Sequence, residues 1–316
     1  MSQPKPKAIV VFGALRSGTT LLRLMLDQHP RLAAPGETDY MFDHITGGAA
    51  SAPVYDEAAL ANDRIYRFYR NKFGLDPNIP QTMNDMLRTK AGPKAPHDPL
   101  VVVLLHRNLG RALTYLPGVR VLHLVRDPRD VARSSIGMGW AGSTYYGVEH
   151  WLKTEQEWRA HAAQMTDEQI LQVKYEQLIE DPGKTLGQIC DFFGVAFDPA
   201  MLDYDSDSTY SKPDPKLVYQ WRHKQTPREI GLVEARVGTL LPALGYELSG
   251  HPPVVPGPLA RARLALQQRT FTWSTRFKRF GVRDPLLAML ARRLGRPELG
   301  RAAQRRIDKA KEQFVK

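Results

Sequence analysis

The sequence predicts an α/β fold: a doubly wound, mainly parallel sheet flanked by helices, followed by a basic α-helical C-terminal extension. Three observations carry this. The apolar run Ala8-Ile9-Val10-Val11-Phe12 ends at Gly13 and passes through a short polar loop into a helical pattern, Leu21, Leu22, Met25 and Leu26. A second run, Val119-Arg120-Val121-Leu122-His123-Leu124-Val125, is nearly continuous in apolar residues, as a strand covered on both faces should be. A third, Gln169-Ile170-Leu171-Gln172-Val173-Lys174, stands between a helical stretch at 147–166 and another carrying Leu186, Ile189, Phe192 and Phe193. Strands alternating with helices imply parallel pairing, with the ligand at the carboxyl ends of the strands.

The loop after the first strand is the most informative stretch. Strand, glycine loop and helix start together make an anion seat, because the first amides of a helix lack intrahelical partners and carry its positive end. Aligned to the nucleotide-binding P-loop, Gly13 and Gly18 hold the two glycine positions and Thr20 the hydroxyl position, but Thr19 stands where the lysine belongs. That lysine serves β- and γ-phosphates, so the loop argues against a nucleoside triphosphate. Its cation is Arg16, inside the loop.

His29-Pro30 stops the first helix, and a short strand or turn then delivers Glu37 close behind the loop. Residues 40–93 read as an insertion that shapes an acceptor pocket, with helical periodicity at 56–72 and 81–90. A helix is expected over 99–115. The second strand ends in Arg126-Asp127-Pro128-Arg129-Asp130, where Asp127 suits an N-cap, Pro128 the first helical position and Asp130 a capping-box acid. Ser134 falls about two turns into that helix. A helix is also expected over 228–241. Cys190, the single cysteine, lies in an apolar helical pattern and reads as a small core residue.

Charge divides the chain. Residues 251–316 hold 16 Lys/Arg against 4 Asp/Glu, leaving 28 and 29 in residues 1–250, so the net charge of +11 comes from the tail. The Pro-rich stretch His251 to Pro258 reads as a linker. The expected domains are therefore 1–250 and 251–316. Leu259, Leu266, Trp273 and Phe280 recur every seven residues, with six basic residues between 261 and 279: an amphipathic basic helix. It either docks on the body or anchors the protein peripherally on an anionic membrane through residues 259–316. No nucleic-acid recognition motif accompanies it. The absence of an apolar run of about 18–20 residues and of a cleavable leader before Ala8 gives a cytoplasmic expectation. His29, His97, His106 and His123 lack metal-site spacing.

Arg16-Ser17-Gly18-Thr19-Thr20 resembles the 5′-phosphosulfate loop of sulfotransferases that use 3′-phosphoadenylyl sulfate (PAPS). Arg126 with Ser134 eight residues later resembles their 3′-phosphate site. The resemblance runs from about Ala8 to Tyr246 and is nearest to the tyrosylprotein-sulfotransferase-like branch. It implies Glu37 as general base, Lys94 as a second cation beside Arg16, and Tyr175 and Ser206 as donor contacts, with Trp221 following. It also implies PAPS as donor, adenosine 3′,5′-bisphosphate (PAP) as product, and a hydroxyl-bearing acceptor. Sulfuryl transfer needs positioning and charge stabilisation as phosphoryl transfer does, but with no β- or γ-phosphate to clamp it calls for no metal. The branch carries arginines two and six residues after the base; here these are Asp39 and Asp43, which favours a lipid, glycan or small alcohol over an acidic peptide. Gln220 and Met138 also depart from the pattern. The alternatives are a kinase-like enzyme on a degenerate P-loop, or a non-catalytic nucleotide- or membrane-binding protein.

Overall fold

In the computed structural model, which describes residues 8–34, 36–49, 52–73, 86–87, 91–204 and 214–312, the strands in chain order are β1 (Ala8–Gly13), β2 (Leu32–Ala33), β3 (Ile45–Ala49), β4 (Ala52–Tyr55), β5 (Leu100–Leu105), β6 (Arg120–Val125) and β7 (Ile170–Lys174). Five of them form one parallel sheet in the order β2-β5-β1-β6-β7, and β3 and β4 pair as an antiparallel hairpin. Connections from β1 run toward β2, whereas those from β6 run toward β7. The order therefore reverses between β1 and β6, where a doubly wound sheet opens its ligand crevice.

The helices up to the middle of the chain are α1 (Thr19–Gln28), α2 (Tyr40–Asp43), α3 (Glu57–Asn62), α4 (Arg64–Phe73), α5 (Leu109–Tyr115), α6 (Pro128–Gly137), α7 (Thr144–Gly147) and α8 (Glu149–Ala162). There follow α9 (Tyr175–Glu180), α10 (Pro182–Phe193), α11 (Trp221–Lys224), α12 (Pro227–Val237), α13 (Leu240–Ala243), α14 (Pro258–Phe280), α15 (Arg283–Arg293) and α16 (Pro297–Glu312). The helix expected over 99–115 is corrected: its first half is β5, and only Leu109–Tyr115 is helical. Leu100-Val101-Val102-Val103-Leu104-Leu105 is apolar at every position, so periodicity cannot distinguish strand from helix, and three consecutive valines settle it for the strand.

The chain forms two compact units. The first, Met1–Arg126 with His150–Tyr219, holds the sheet. On one face Ile9, Val11, Leu122, Leu124 and Val173 pack with Leu22 and Met25 of α1 and Ile189 and Phe193 of α10, all buried. On the other, Phe12 and His123 meet Trp158 of α8 at ring separations of 6.3 and 4.0 Å. Cover on both faces explains why these strands lack alternation. Cys190 is buried with its sulfur 3.6 Å from that of Met201, and burial pushes its thiol up to about 11, which keeps it an inert core residue.

The second unit, Asp127–Glu149 with Gln220–Lys316, has α6 at its centre. Asp127 caps α6 through the Arg129 amide at 2.9 Å, and Pro128 takes the first turn, as expected. Asp130 accepts the amides of Gln220 (3.2 Å) and Trp221 (2.8 Å). Arg129 is buried in a two-point bond to Asp127, a third bond to Glu234 at 2.7 Å, and a stack on Trp221 at 3.7 Å. The helix expected over 228–241 breaks at Gly238, whose positive φ separates α12 from α13.

The basic tail belongs to this unit. The Val254 amide donates to Gly231 of α12 at 2.9 Å, so the Pro-rich stretch lies against a helix. Gln267 and Gln268 of α14 grip the backbone of Gly142 at 2.7 Å each way, and Gln268 also reaches the Trp140 carbonyl at 3.1 Å. Of the seven-residue stripe, Leu259 and Leu266 are exposed and Trp273 and Phe280 half-buried, whereas Leu264, off the stripe, is buried. The helix docks by its glutamines and by one face that the stripe does not mark.

Candidate functional site

The loop leaving β1 is shaped for close approach. A Cβ on Gly13 would stand 2.6 Å from the Leu124 carbonyl of β6, so the two strands can lie together only at glycine. Arg16 and Gly18 both adopt left-handed backbone (φ 73° and 90°) on either side of Ser17, the alternation that turns successive amides toward one concavity. No side chain caps α1, whose N-cap is Gly18. The amides of its first turn therefore face the loop without intrahelical partners. The Ser17 hydroxyl is fully buried and has no hydrogen-bond partner among the described residues. An oxyanion on this loop would supply what that hydroxyl and those amides lack.

Arg126 stands at the carboxyl end of β6, on the other side of the sheet reversal. Its guanidinium donates to the Arg16 carbonyl at 3.1 Å and the Leu217 carbonyl at 3.0 Å, and lies 4.3 Å from the centre of the Tyr175 ring. Tyr175 begins α9 straight after β7, and its ring covers Gly18 so closely that any Cβ there would lie inside contact distance. Arg16, Gly18, Arg126 and Tyr175, far apart in sequence, thus form one cluster at the ends of β1, β6 and β7.

A second cluster lies on the β5 side. His106, the first residue after β5, is buried with Nε2 3.2 Å from Thr19 Oγ1 and Nδ1 2.9 Å from Asp39 Oδ2, while its amide donates to Asp39 Oδ1 at 3.0 Å. Burial alone would raise the Asp39 carboxyl, but the charge and hydrogen bond of His106 outweigh it and hold the group below its ordinary value. Burial would likewise lower His106, but Asp39 outweighs it and Glu37 adds to the effect, so the imidazole is raised. Glu37 bridges to Leu104, and the hydroxyl of Tyr69, pushed up to about 12 by burial, lies at the Gly36–Glu37 backbone. His106 was not among the expected site residues, because a helix over 99–115 hides it. Its signal is a β-branched run ending in a polar residue, the same signal that marks Arg126.

Asp39 and Asp43 are not exposed acids. Asp39 is held by His106 and lies 3.6 Å from Arg107; Asp43 takes a two-point bond from Arg107 and a third from Asn108 at 2.7 Å. Both acids are thereby held by partners on the β5 side. Asp43, His44 and Asp63 bring ligand-type atoms within 4.8 Å of one another, but Asp43 is engaged by Arg107 and His44 by Asp63 at 3.3 Å, so each already has a side-chain partner.

Lys94 is corrected. Its ammonium donates to the carbonyls of Asp27, His29 (3.3 Å) and Leu32 (2.8 Å), at the C-terminal end of α1. Ten helical residues, about 15 Å, separate that end from the loop. Lys94 neutralises the negative end of the helix whose positive end forms the seat. Thr20 sits half-buried in the first turn of α1. Ser134 lies on α6, in the second unit. Ser206 lies outside the described residues.

A strand–loop–helix seat at the reversal of a parallel sheet, with a threonine in the lysine position, defines an α/β protein of the P-loop kind. Residues 6–199, more than half of the chain, match the Sulfotransferase family, and the chain belongs to it. A protein-tyrosine sulfotransferase of Drosophila melanogaster is 24% identical over 281 residues, 78% of this chain and 52% of its own. Sulfotransferase 2A1 of Rattus norvegicus is 30% identical over 134 residues, 38% of this chain and 45% of its own. The chain thus spans about half the length of these two relatives. In fold it resembles the sulfotransferase domain from the curacin biosynthetic pathway, with a TM-score of 0.57 at 20% identity over 78% of this chain and all of that one.

Proposed function

We propose that this protein transfers a sulfuryl group from PAPS to a hydroxyl acceptor, with Glu37 as general base. The observation that carries the reading is the pairing of two cation-bearing seats: the uncapped start of α1 and, bonded to that loop's own carbonyl, the Arg126 guanidinium on Tyr175. A donor with phosphates at both the 3′ and 5′ positions of one nucleoside calls for two such seats. A triphosphate calls for a lysine at position 19.

The residues divide the work. The amides of residues 18–20 and the Ser17 and Thr20 hydroxyls hold the 5′-phosphosulfate, which suits a buried hydroxyl otherwise lacking a partner, whereas the Ser17 amide is spent on the Ala14 carbonyl at 3.0 Å. Arg126 takes the 3′-phosphate in charge-assisted bonds, and Ser134 keeps the role its spacing from Arg126 gives it. Arg16 neutralises charge growing on the oxygen that bridges phosphorus and sulfur and on the sulfuryl oxygens. Lys94, committed to the far end of α1, has no part in this. Glu37 takes the acceptor's hydroxyl proton as the acceptor oxygen attacks sulfur and the sulfur–oxygen bond to the bisphosphate breaks, so that PAP leaves. His106 holds Thr19 in place from the β5 side.

The acceptor is proposed to be a lipid, glycan or small alcohol. The support is not repulsion by Asp39 and Asp43, which are already paired. It is that two carboxylates here face at most two cations, His106 and Arg107, so the cluster offers an acidic peptide no net positive seat. Residues 259–316 are further proposed to meet an anionic membrane. On α15, Leu287, Leu290 and Leu294 recur at i, i+3 and i+7 with 38, 48 and 66% of their surfaces exposed, next to Arg283 and Arg293. Sedimentation with phosphatidylglycerol vesicles should carry the full chain down and leave a Leu290→Glu/Leu294→Glu variant in solution.

The deciding experiment is turnover with labelled PAPS against a panel of hydroxyl acceptors, comparing wild type with Glu37→Gln. Loss of about 10²–10⁴ in rate with unchanged PAP affinity is expected. A fully active Glu37→Gln enzyme removes Glu37 as base, and failure to bind PAP removes the donor assignment.

A further inference from the structure

The end of α14 with α15 and α16 encloses a cavity of about 260 Å³, formed wholly by residues of the second unit. Its floor is apolar, with Phe280, Met289 and Ile307. Its rim carries four cations, Arg276, Arg292, Arg293 and Lys311, and no carboxylate lines it among the described residues. Two neighbouring acids have partners of their own. Asp284 takes a two-point bond from Arg306 at 2.8 and 2.6 Å, and Asp308 accepts Gln304 at 2.8 Å. Gln304 in turn accepts from Arg292 at 3.0 Å, which fixes that guanidinium at the rim.

We propose that this cavity is a binding site for a small anionic amphiphile, a phosphate or sulfate head on a short apolar body. The guanidinium groups of Arg276, Arg292 and Arg293 line one opening, and an oxyanion relieves their mutual repulsion through their planar donors. A bare anion leaves Phe280, Met289 and Ile307 in contact with water; an uncharged alcohol leaves the cations unneutralised. Only a ligand with both parts uses the whole site. The volume lies below the roughly 300–1,000 Å³ typical of drug-sized pockets, which limits the apolar body to a short chain.

The site is distinct from the exposed leucines of α15. Pro285, Ala288 and Arg292 line the cavity, and Leu287, Leu290 and Leu294 each follow one of them by two residues. Two residues are about 200° around a helix, so the two features occupy opposite faces. The cavity also makes no use of the β1–α1 loop, and this inference stands or falls independently of sulfuryl transfer.

The test is calorimetry on the full chain with hexyl sulfate, hexyl phosphate, hexanol and inorganic sulfate. One site for each hexyl ester is expected, with hexanol and inorganic sulfate at least tenfold weaker. Binding should stabilise the protein by mass action, read as a rise in Tm. Arg276→Gln/Arg292→Gln should weaken hexyl sulfate at least tenfold, and so should Ile307→Trp, which fills the floor; a cooperative thermal melt without ligand, matching that of wild type, certifies the fold of each variant. Competition by phosphatidylglycerol vesicles, against none by phosphatidylcholine, assigns the head to a lipid; no competition by either assigns it to a free ester. Hexanol binding as tightly as hexyl sulfate, or full affinity in the arginine variant, overturns the proposal.

Discussion

His106 Nε2 stands 3.2 Å from Thr19 Oγ1, so the threonine that replaces the P-loop lysine is held from beneath by a buried imidazole, itself bonded to Asp39. The loop has lost a cation that would project into its seat and gained an ion pair behind it. That changes both the charge the seat presents and the pH range over which its wall is stable.

The pH dependence follows from the two shifts. His106 is raised above its ordinary 6.5, so its contribution to stability is present in full below about 6.5 and is lost as pH rises through the raised value. Asp39 is held below its ordinary 3.8, so its contribution is present above that value and is lost as pH falls through the lowered one. Thermal melts of wild type should therefore decline on the alkaline side. Asp39→Asn should flatten that decline and cost about 3–5 kcal/mol near neutrality, as removing one partner of a buried pair does. An unchanged alkaline limb in Asp39→Asn would show that the pair does not carry it.

Arg126→Ala should weaken PAP binding by about 10–100-fold, the range for losing charge-assisted bonds to a phosphate. Because Arg126 also bonds the Arg16 carbonyl and stacks on Tyr175, Arg126→Lys should restore charge but little affinity. Calorimetry with PAP against adenosine 5′-phosphate separates the two roles. Equal losses for both nucleotides would move Arg126 from the 3′-phosphate to the support of the loop.

Gly18→Ala should fail on two counts. Left-handed backbone costs a residue with a Cβ about 1–2 kcal/mol, and the new methyl meets the Tyr175 ring. Tyr175→Leu in the same chain should recover the steric part but not the backbone part, so PAP affinity should return only partly. Complete recovery would mean that the loop tolerates a Cβ at position 18 and that the ring alone sets the requirement.

How much of this was legible in the sequence varies from residue to residue, for physical reasons. The β1–α1 loop and Arg126 were readable because backbone conformation and strand ends impose local patterns. β5 was not, because a strand buried on both faces loses its alternation, and with it His106 went unseen. Asp39 and Asp43 were identifiable as acids but not as partners of His106 and Arg107, which lie more than sixty residues away. The seven-residue stripe on α14 was real in sequence, yet the contacts that dock the helix are made by Gln267 and Gln268. A polar side chain bonded to a distant backbone leaves no periodic trace.

Lys94→Met tests the reassignment of that lysine. It removes an ammonium from three carbonyls at the end of α1, at a site where the lysine side chain is 30% exposed, so a loss of about 1–2 kcal/mol in stability is expected. Turnover per folded molecule should be unchanged. A large fall in rate at an unchanged Tm would bring Lys94 back to the reacting centre.

Truncation after residue 250 tests the standing of the basic tail. Removing α14 strips Gly142 and Trp140 of the glutamine side chains that bond their backbone, and removes Val254 from Gly231. Each backbone group left without a partner in a partly buried place costs about 1–3 kcal/mol, so the truncated chain should melt several degrees below the full one. Gln267→Ala/Gln268→Ala should reproduce part of that loss without removing any charge. If the truncated chain melts at the full-length temperature, the tail is an appendage whose only role is in binding, and the boundary at 250 is a true domain boundary. If it melts lower and the glutamine variant follows it, the helix is part of the unit built around α6, and its cations are displayed from a docked element.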